Sequence, residues 1–459
     1  MPFPHDFIWG AATASYQIEG AAFDEGKGLS VWDVFSHKPH AVWRDHTGDR
    51  ACDHYHLYRE DVTLMQALGL KGYRFSVSWP RVLPEGTGRV NAAGLDFYDR
   101  LVDALLEARV IPYLTLFHWD YPYALYCRGG WLNPESPEWF AEYTTVLASR
   151  LGDRVKHWFT LNEPTVFTIA GHQDGQHAPG DRWQFWQILR IAHHALLAHG
   201  KAVQAVRAAI HGPCQVGAAL VGPVGIPESE SVEDIEAARR FMFDIRGRQL
   251  WQNTWWMDPM FRGAYPEDGI RAFGADLETA GIDPHAPEVS RIYQPLDFFG
   301  FNCYNGRRVR AGQDGEPTEV PVGLGQPITS YYWPVTPEAL RWGPRLFYER
   351  YHLPIYITEN GLANPDWVSL DGNVHDPQRI DFTCRYLQQL EKAIDEGAEV
   401  RGYFHWSLMD NFEWAEGYKH RFGLVYVDFD TLRRIPKDSA AWYRDVIASG
   451  GLSLHTPGQ

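Results

Sequence analysis

The chain has 459 residues, 45% hydrophobic and 22% charged, a balance that excludes a disordered or low-complexity polypeptide. Its 42 Lys plus Arg against 58 Asp plus Glu leave a formal charge of −16, which disfavours nucleic acid and anionic lipid surfaces and favours neutral or cationic ligands. No stretch of about 18 uncharged apolar residues occurs, and the opening MPFPHDFIWGAATASYQIEG lacks a basic segment followed by an apolar run and a small-residue cleavage site, so neither a membrane span nor a secretory leader is expected.

From Phe7 onward, short apolar runs alternate with helical patterns. The strand runs, in chain order, are FIWGAAT, YRFSVSW, IPYLTLF, KHWFTLN, QVGAALV, LDFFGFNCY, PIYITEN and RGYFHWSL. Between them Tyr98, Leu101, Val102 and Leu105, and then Phe140, Tyr143, Leu147 and Leu151, recur at helical spacing and predict one buried helix face each. Ser136-Pro137 and Asp376-Pro377 each offer a capping side chain with proline at the first helical position, and Gly69 and Gly152 stand where helices should stop. Eight strands alternating with helices predict a single (β/α)8 TIM barrel domain over residues 1–459 with extended loops. Residues 311–329, rich in glycine and proline, are expected to form a mobile loop at the site mouth.

The five cysteines, Cys52, Cys127, Cys214, Cys303 and Cys384, are scattered and odd in number, which reads as free thiols in a reducing, cytoplasmic setting. His54, His56, His193 and His194 form no HExxH or similar spacing, and neither GxxxxGK[ST] nor GxGxxG between strand and helix occurs, so no metal and no nucleotide cofactor is expected. The aromatic content is high, with 19 Trp, 23 Tyr and 24 Phe. Aromatic faces stack on the apolar C–H faces of sugar rings.

In a barrel of this kind chemistry sits at the C-terminal ends of the strands. Glu163 follows the fourth strand in TLNEP and Glu359 ends the seventh in YITENG. Either acid alone could merely cap the next helix. As a pair they supply what glycoside hydrolysis needs, one protonated carboxyl and one ionised carboxylate flanking the anomeric carbon.

The motifs FxWGxATxSYQxEG, GYRFSVSWPR, HWDxP, TLNEP, YITENG and WSLMDNFEW appear in this order over nearly the whole chain, and the sequence thereby resembles family 1 glycoside hydrolases, the β-glucosidase family. The resemblance implies retaining hydrolysis of terminal β-D-glucosidic bonds without a cofactor. Galactosides and fucosides are expected as secondary substrates, because the 4-hydroxyl differs only in orientation between glucose and galactose. Glu163 is then the general acid/base and Glu359 the nucleophile, with Arg74 and Tyr304 holding Glu359 ionised and Asn162 meeting the sugar 2-hydroxyl. Gln17, His118, Trp119, Asn302, Glu413 and Trp414 would bind the sugar, Trp406 would lie under its face, and Trp333 and Phe422 would line the leaving-group side and the 6-position. Cys303 replaces the first of two tyrosines usual after the asparagine, and strand alternation points it into packing.

Two rivals follow. A 6-phospho-β-glycosidase would need a hydroxyl and a cation near the sugar 6-position, where this chain has Glu413, His420 and Phe422. A catalytically silent sugar-binding protein would not require the complete set of Glu163, Glu359, Arg74 and Tyr304. The expected partner is a small β-glucoside or an oligosaccharide, and self-association into homo-oligomers is left open.

Overall fold

All eight apolar runs overlap a strand: β1 Ile8–Ala12, β2 Gly72–Ser76, β3 Ile111–Phe117, β4 His157–Asn162, β5 Gln215–Leu220, β6 Phe299–Asn302, β7 Ile355–Asn360 and β8 Val400–Trp406. Each pairs in parallel with its neighbours in sequence and β8 returns to β1, so the sheet closes into a barrel. The computed structural model describes residues 2–455.

Below the strand ends the barrel is filled with rings. Tyr113 lies edge-on to Phe404 at 4.8 Å, and Phe298 edge-on to Tyr356 at 5.3 Å. This packed floor confines any site to the end where the strands stop. There the register aligns the chemistry, with Ala12 of β1 opposite both Arg74 of β2 and Trp406 of β8. The register of β7 against β6 shifts between Ile357 and Glu359, which sets Glu359 opposite Asn302. Irregularities of this type re-aim a side chain at a strand end.

The helix Ala92–Glu107 buries Tyr98, Leu101, Val102 and Leu105, and Ser136–Leu151 buries Phe140, Tyr143, Leu147 and Leu151. Among the described residues no helix is long and apolar enough to cross a membrane.

Three local expectations are corrected. Ser136 is not a cap: that position falls on Glu135, and Ser136 is already inside the helix with its hydroxyl unpartnered. Asp376 does precede the helix Pro377–Asp395, but its carboxylate bonds Arg379 at 2.8 Å and the Ser439 hydroxyl at 2.6 Å rather than the helix amides. A buried guanidinium is the stronger partner. Residues 311–329 are not structureless throughout, since Arg307–Ala311 and Pro317–Glu319 form a hairpin that joins Gly225–Pro227 in a three-stranded sheet. Charged residues and glycines hide its alternation in sequence. Both glycines stand where helices stop, as expected: Gly69, φ +72°, just after His54–Ala67, and Gly152, right-handed, as the cap of Ser136–Leu151, where a Cβ would lie 2.4 Å from the Ala148 carbonyl.

Candidate active site

Glu163 directly follows β4 and takes a left-handed backbone, φ 45°. Its amide donates to the Ala219 carbonyl of β5 at 2.8 Å, and Pro164 opens the next short helix. Trp119 and Trp414 also have positive φ, 81° and 50°. Such backbone costs about 1–3 kcal/mol per residue and persists only where the surroundings over-determine it. All three side chains line one cavity of about 670 Å³ at the mouth of the barrel, a size ordinary for a small-molecule site.

Glu163 and Glu359 are both buried in its wall. Arg74 Nη1 donates to Glu359 Oε1 at 2.7 Å and Arg74 Nη2 to Asn162 Oδ1 at 2.6 Å. The Arg74 side chain is itself steadied by Thr115 Oγ1 and the Thr358 carbonyl, each at 3.2 Å. Tyr304 Oη donates to the other oxygen of Glu359 at 2.7 Å. Glu163 has no cation of its own and accepts from Asn302 Nδ2 at 2.7 Å, whose Oδ1 is held by the Thr358 hydroxyl at 2.6 Å.

This asymmetry sets the protonation order. Burial, and next the Glu359 charge, push the Glu163 pKa up to about 8. Burial also raises Glu359 above the usual carboxylate range, against the opposing pull of Arg74, Tyr304 and Asn302. The expectation of a simply ionised Glu359 is thereby refined, because desolvation is larger than any single partner. Of the two, Glu163 keeps its proton to higher pH.

Around the pair stand groups suited to a polyol. Asn162 Oδ1 accepts from Arg74 and Asn302, so its Nδ2 must be the donor to His118 Nε2 at 3.0 Å. His118 is thus neutral with its proton on Nδ1, in keeping with burial and Arg74 holding its pKa well below the ordinary value. Gln17 Nε2 donates to the Phe412 carbonyl at 2.9 Å, to Asn411 Oδ1 at 3.0 Å and to Glu413 Oε2 at 3.3 Å, which leaves its buried Oε1 unpartnered. Burial, then the Glu359 charge, lift the Glu413 pKa to about 8.

Every residue expected at the site except Gln17, Arg74 and Asn162 lines the cavity directly, and those three bond residues that do. Trp406 stacks against His118 with centroids 5.9 Å apart, Trp414 packs on Trp119 at 4.6 Å, and Trp333 sits 5.1 Å from Tyr304 and 6.3 Å from Phe422. The Trp119 indole N–H is occupied by the Asn162 carbonyl at 2.9 Å, so its contribution to the cavity is its ring. The Cys303 thiol is buried, and burial pushes its pKa up.

The sequence reading missed Tyr331 and His177 in the cavity wall. Tyr331 stacks on Trp333 at 4.6 Å, and its position two residues before a site tryptophan was the available signal. His177, made neutral by burial with a pKa near 4, lies in a loop with no local pattern. Among the described residues no group of three or more His, Cys, Asp or Glu is arranged to hold a metal ion.

The chain is 46% identical to β-glucosidase A of Thermotoga maritima over 98% of both chains. It is 39% identical to aryl-phospho-β-D-glucosidase BglC of Bacillus subtilis, again over 98% of each. A solved structure of β-glucosidase from Thermotoga maritima in complex with galacto-hydroximolactam superposes with a TM-score of 0.88 at 45% identity, covering 98% of this chain and 99% of that one. The model of glycosyl hydrolase family 1 matches residues 1–452, and the chain belongs to that family.

Proposed function

We propose that the protein is a retaining β-glucosidase that releases terminal, non-reducing β-D-glucosyl residues through a covalent glycosyl-enzyme intermediate. The observation that carries this reading is the unequal treatment of two buried carboxyls, Arg74 and Tyr304 on Glu359 against a lone amide donor on Glu163. Glu163, protonated, gives its proton to the leaving oxygen while Glu359 attacks the anomeric carbon from the other face. Esterification removes the Glu359 charge, the Glu163 pKa falls, and Glu163 then takes the proton of the incoming water. Asn162 meets the 2-hydroxyl, and His118, Gln17, Glu413 and Trp414 take the remaining hydroxyls over the Trp406 ring. The free Nδ1–H of His118 and the open Oε1 of Gln17 give one donor and one acceptor without disturbing the protein's own hydrogen bonds.

Galactosides and fucosides are secondary substrates on this reading, supported by the same donor and acceptor pair and by the complex of the relative with galacto-hydroximolactam. The phospho-glucosidase relative keeps a 6-phosphate reading in view, but buried Glu413 is a poor neighbour for a phosphate. We further read the chain as one domain, built around one barrel, and as cytoplasmic, on its free cysteines. The site draws all its groups from one chain and does not require a homo-oligomer.

The test is release of p-nitrophenol from p-nitrophenyl β-glucoside, β-galactoside, β-fucoside and β-glucoside 6-phosphate. The glucoside should dominate, and dominance of the 6-phosphate would overturn the reading. Glu359→Gly should lose on the order of 10⁴-fold in kcat, with azide restoring turnover to the inverted glycosyl azide. Glu163→Ala should cost about 10²–10⁴-fold on substrates with poor leaving groups and far less on activated aryl glycosides.

A further inference from the structure

The outer wall of the catalytic cavity carries two arginines without ion pairs. Arg246 and Arg307 line the same cavity as Glu163 and Glu359, and among the described residues neither has a carboxylate within ion-pairing distance, whereas the nearby Arg240 and Arg308 are paired, with Glu316 at 2.9 Å and with Glu338 at 2.8 Å. Arg246 lies over the Phe241 ring, 4.0 Å from its centroid, and among the described residues its side chain makes one hydrogen bond, from Nη2 to the Phe241 carbonyl at 3.3 Å. Its Nε is buried with no partner. The Arg307 side chain makes no hydrogen bond among the described residues, although its amide is fixed to the Val224 carbonyl at 2.8 Å. Exposed Trp251 stands in the same wall as an aromatic plate. Glu319 is the counter-charge on this wall, and it pairs with neither arginine.

We infer that this wall is an aglycone subsite for an aryl group bearing an anion, such as a carboxylate, at the end remote from the glycosidic oxygen. The chain as a whole is strongly acidic, −16, which would repel such a ligand at long range. Locally the two guanidinium groups face Glu319, while the other carboxylate near Arg246, Asp244, is engaged by Arg240 at 3.0 Å, and the half-buried Arg246 guanidinium with unused donors is partly desolvated already, so an arriving carboxylate recovers hydrogen bonds that the folded chain leaves unmade. The preference is a differential one, for an acid over its neutral isostere on the same sugar.

This inference rests on the glycosidase reading. The experiment compares kcat/KM for 4-carboxyphenyl and 4-(2-carboxyethyl)phenyl β-D-glucosides with their matched carboxamides, on the full-length enzyme. Wild type should prefer at least one acid over its amide by roughly three- to tenfold at low salt, and the preference should shrink between about 10 mM and 500 mM NaCl as screening sets in. In Arg246→Gln combined with Arg307→Gln the acid-to-amide ratio should fall to about one, and in Glu319→Gln it should rise. Because each enzyme supplies its own ratio, a loss of folded protein does not mimic the effect. Acid and amide turned over alike by wild type, or a preference that survives the double substitution, would overturn the inference. Absence of turnover of p-nitrophenyl β-glucoside would instead overturn the glycosidase reading.

Discussion

Glu163 and Glu359 are the same residue type at equivalent strand ends, and on the proposed mechanism their different environments divide the labour between them. Protonated Glu163 is lost above its pKa of about 8, so kcat/KM should fall about tenfold per pH unit beyond that point. In Glu359→Gln, ¹³C NMR of the Glu163 carboxyl should show its titration moved down, because the neighbouring charge is gone, yet still above the ordinary 4.5 because burial remains. An unmoved titration would place the source of the shift elsewhere. Glu413 makes the same point through stability. Its folded pKa of about 8 stands above the unfolded value of 4.5, so the folded chain binds the extra proton and loses stability as pH rises from 4.5 to 8. Glu413→Gln should therefore raise the apparent Tm by roughly 2–5 °C at pH 8 while leaving it unchanged near pH 4.5, and should cost glucosidase activity. Differential scanning fluorimetry across that range checks the sign.

At the scale of elements, the loops after β7 and β8 decide how the site closes. Gly361 follows β7 so tightly over β8 that a Cβ there would lie 1.7 Å from the Trp406 carbonyl oxygen. Gly361→Ala should destabilise by about 3 kcal/mol and, by displacing Trp406, lower kcat roughly 100-fold. Urea unfolding and steady-state kinetics separate the two effects. The same element scale shows where sequence reading runs out. Helix faces and strand cores were legible because burial imposes period on the sequence, as with Tyr98 to Leu105. Ser136 falls inside its helix, and Asp376 stands at the cap position without capping, because a hydroxyl or carboxylate signals only the ability to cap, while the partner it takes is set by the exact helix start or by groups the fold brings near, Arg379 and Ser439 for Asp376.

At the scale of the whole molecule, a buried ionic network ties the catalytic end together. Lys437 Nζ donates to Asp366 at 2.5 Å and to Asp410 at 2.7 Å, with all three side chains fully buried. Arg379 bonds Asp366, Asp376 and the carbonyls of Leu362 and Phe422, and Arg421 bonds Asp410 at 2.6 Å. Three cations balance three carboxylates beneath the loops that carry Glu413 and Phe422. Lys437→Ala leaves two carboxylates under-compensated and should cost about 3–5 kcal/mol, read as a lowered midpoint in chemical denaturation. A midpoint unchanged from wild type would mean that Arg379 and Arg421 suffice.

The sequence by itself determined the barrel, the two acids at the ends of β4 and β7, and the family to which they belong, because hydrophobic period and contiguous motifs such as TLNEP and YITENG are local properties of the chain. Only the tertiary structure decided how burial and neighbouring charge set the two acids apart, which nitrogen of His118 is free, that the Trp119 N–H is already taken, and that Tyr331, His177 and Arg246 share the cavity. Each of those is a relation between groups from different strands and loops, set by desolvation and by which donor reaches which acceptor once the barrel has closed.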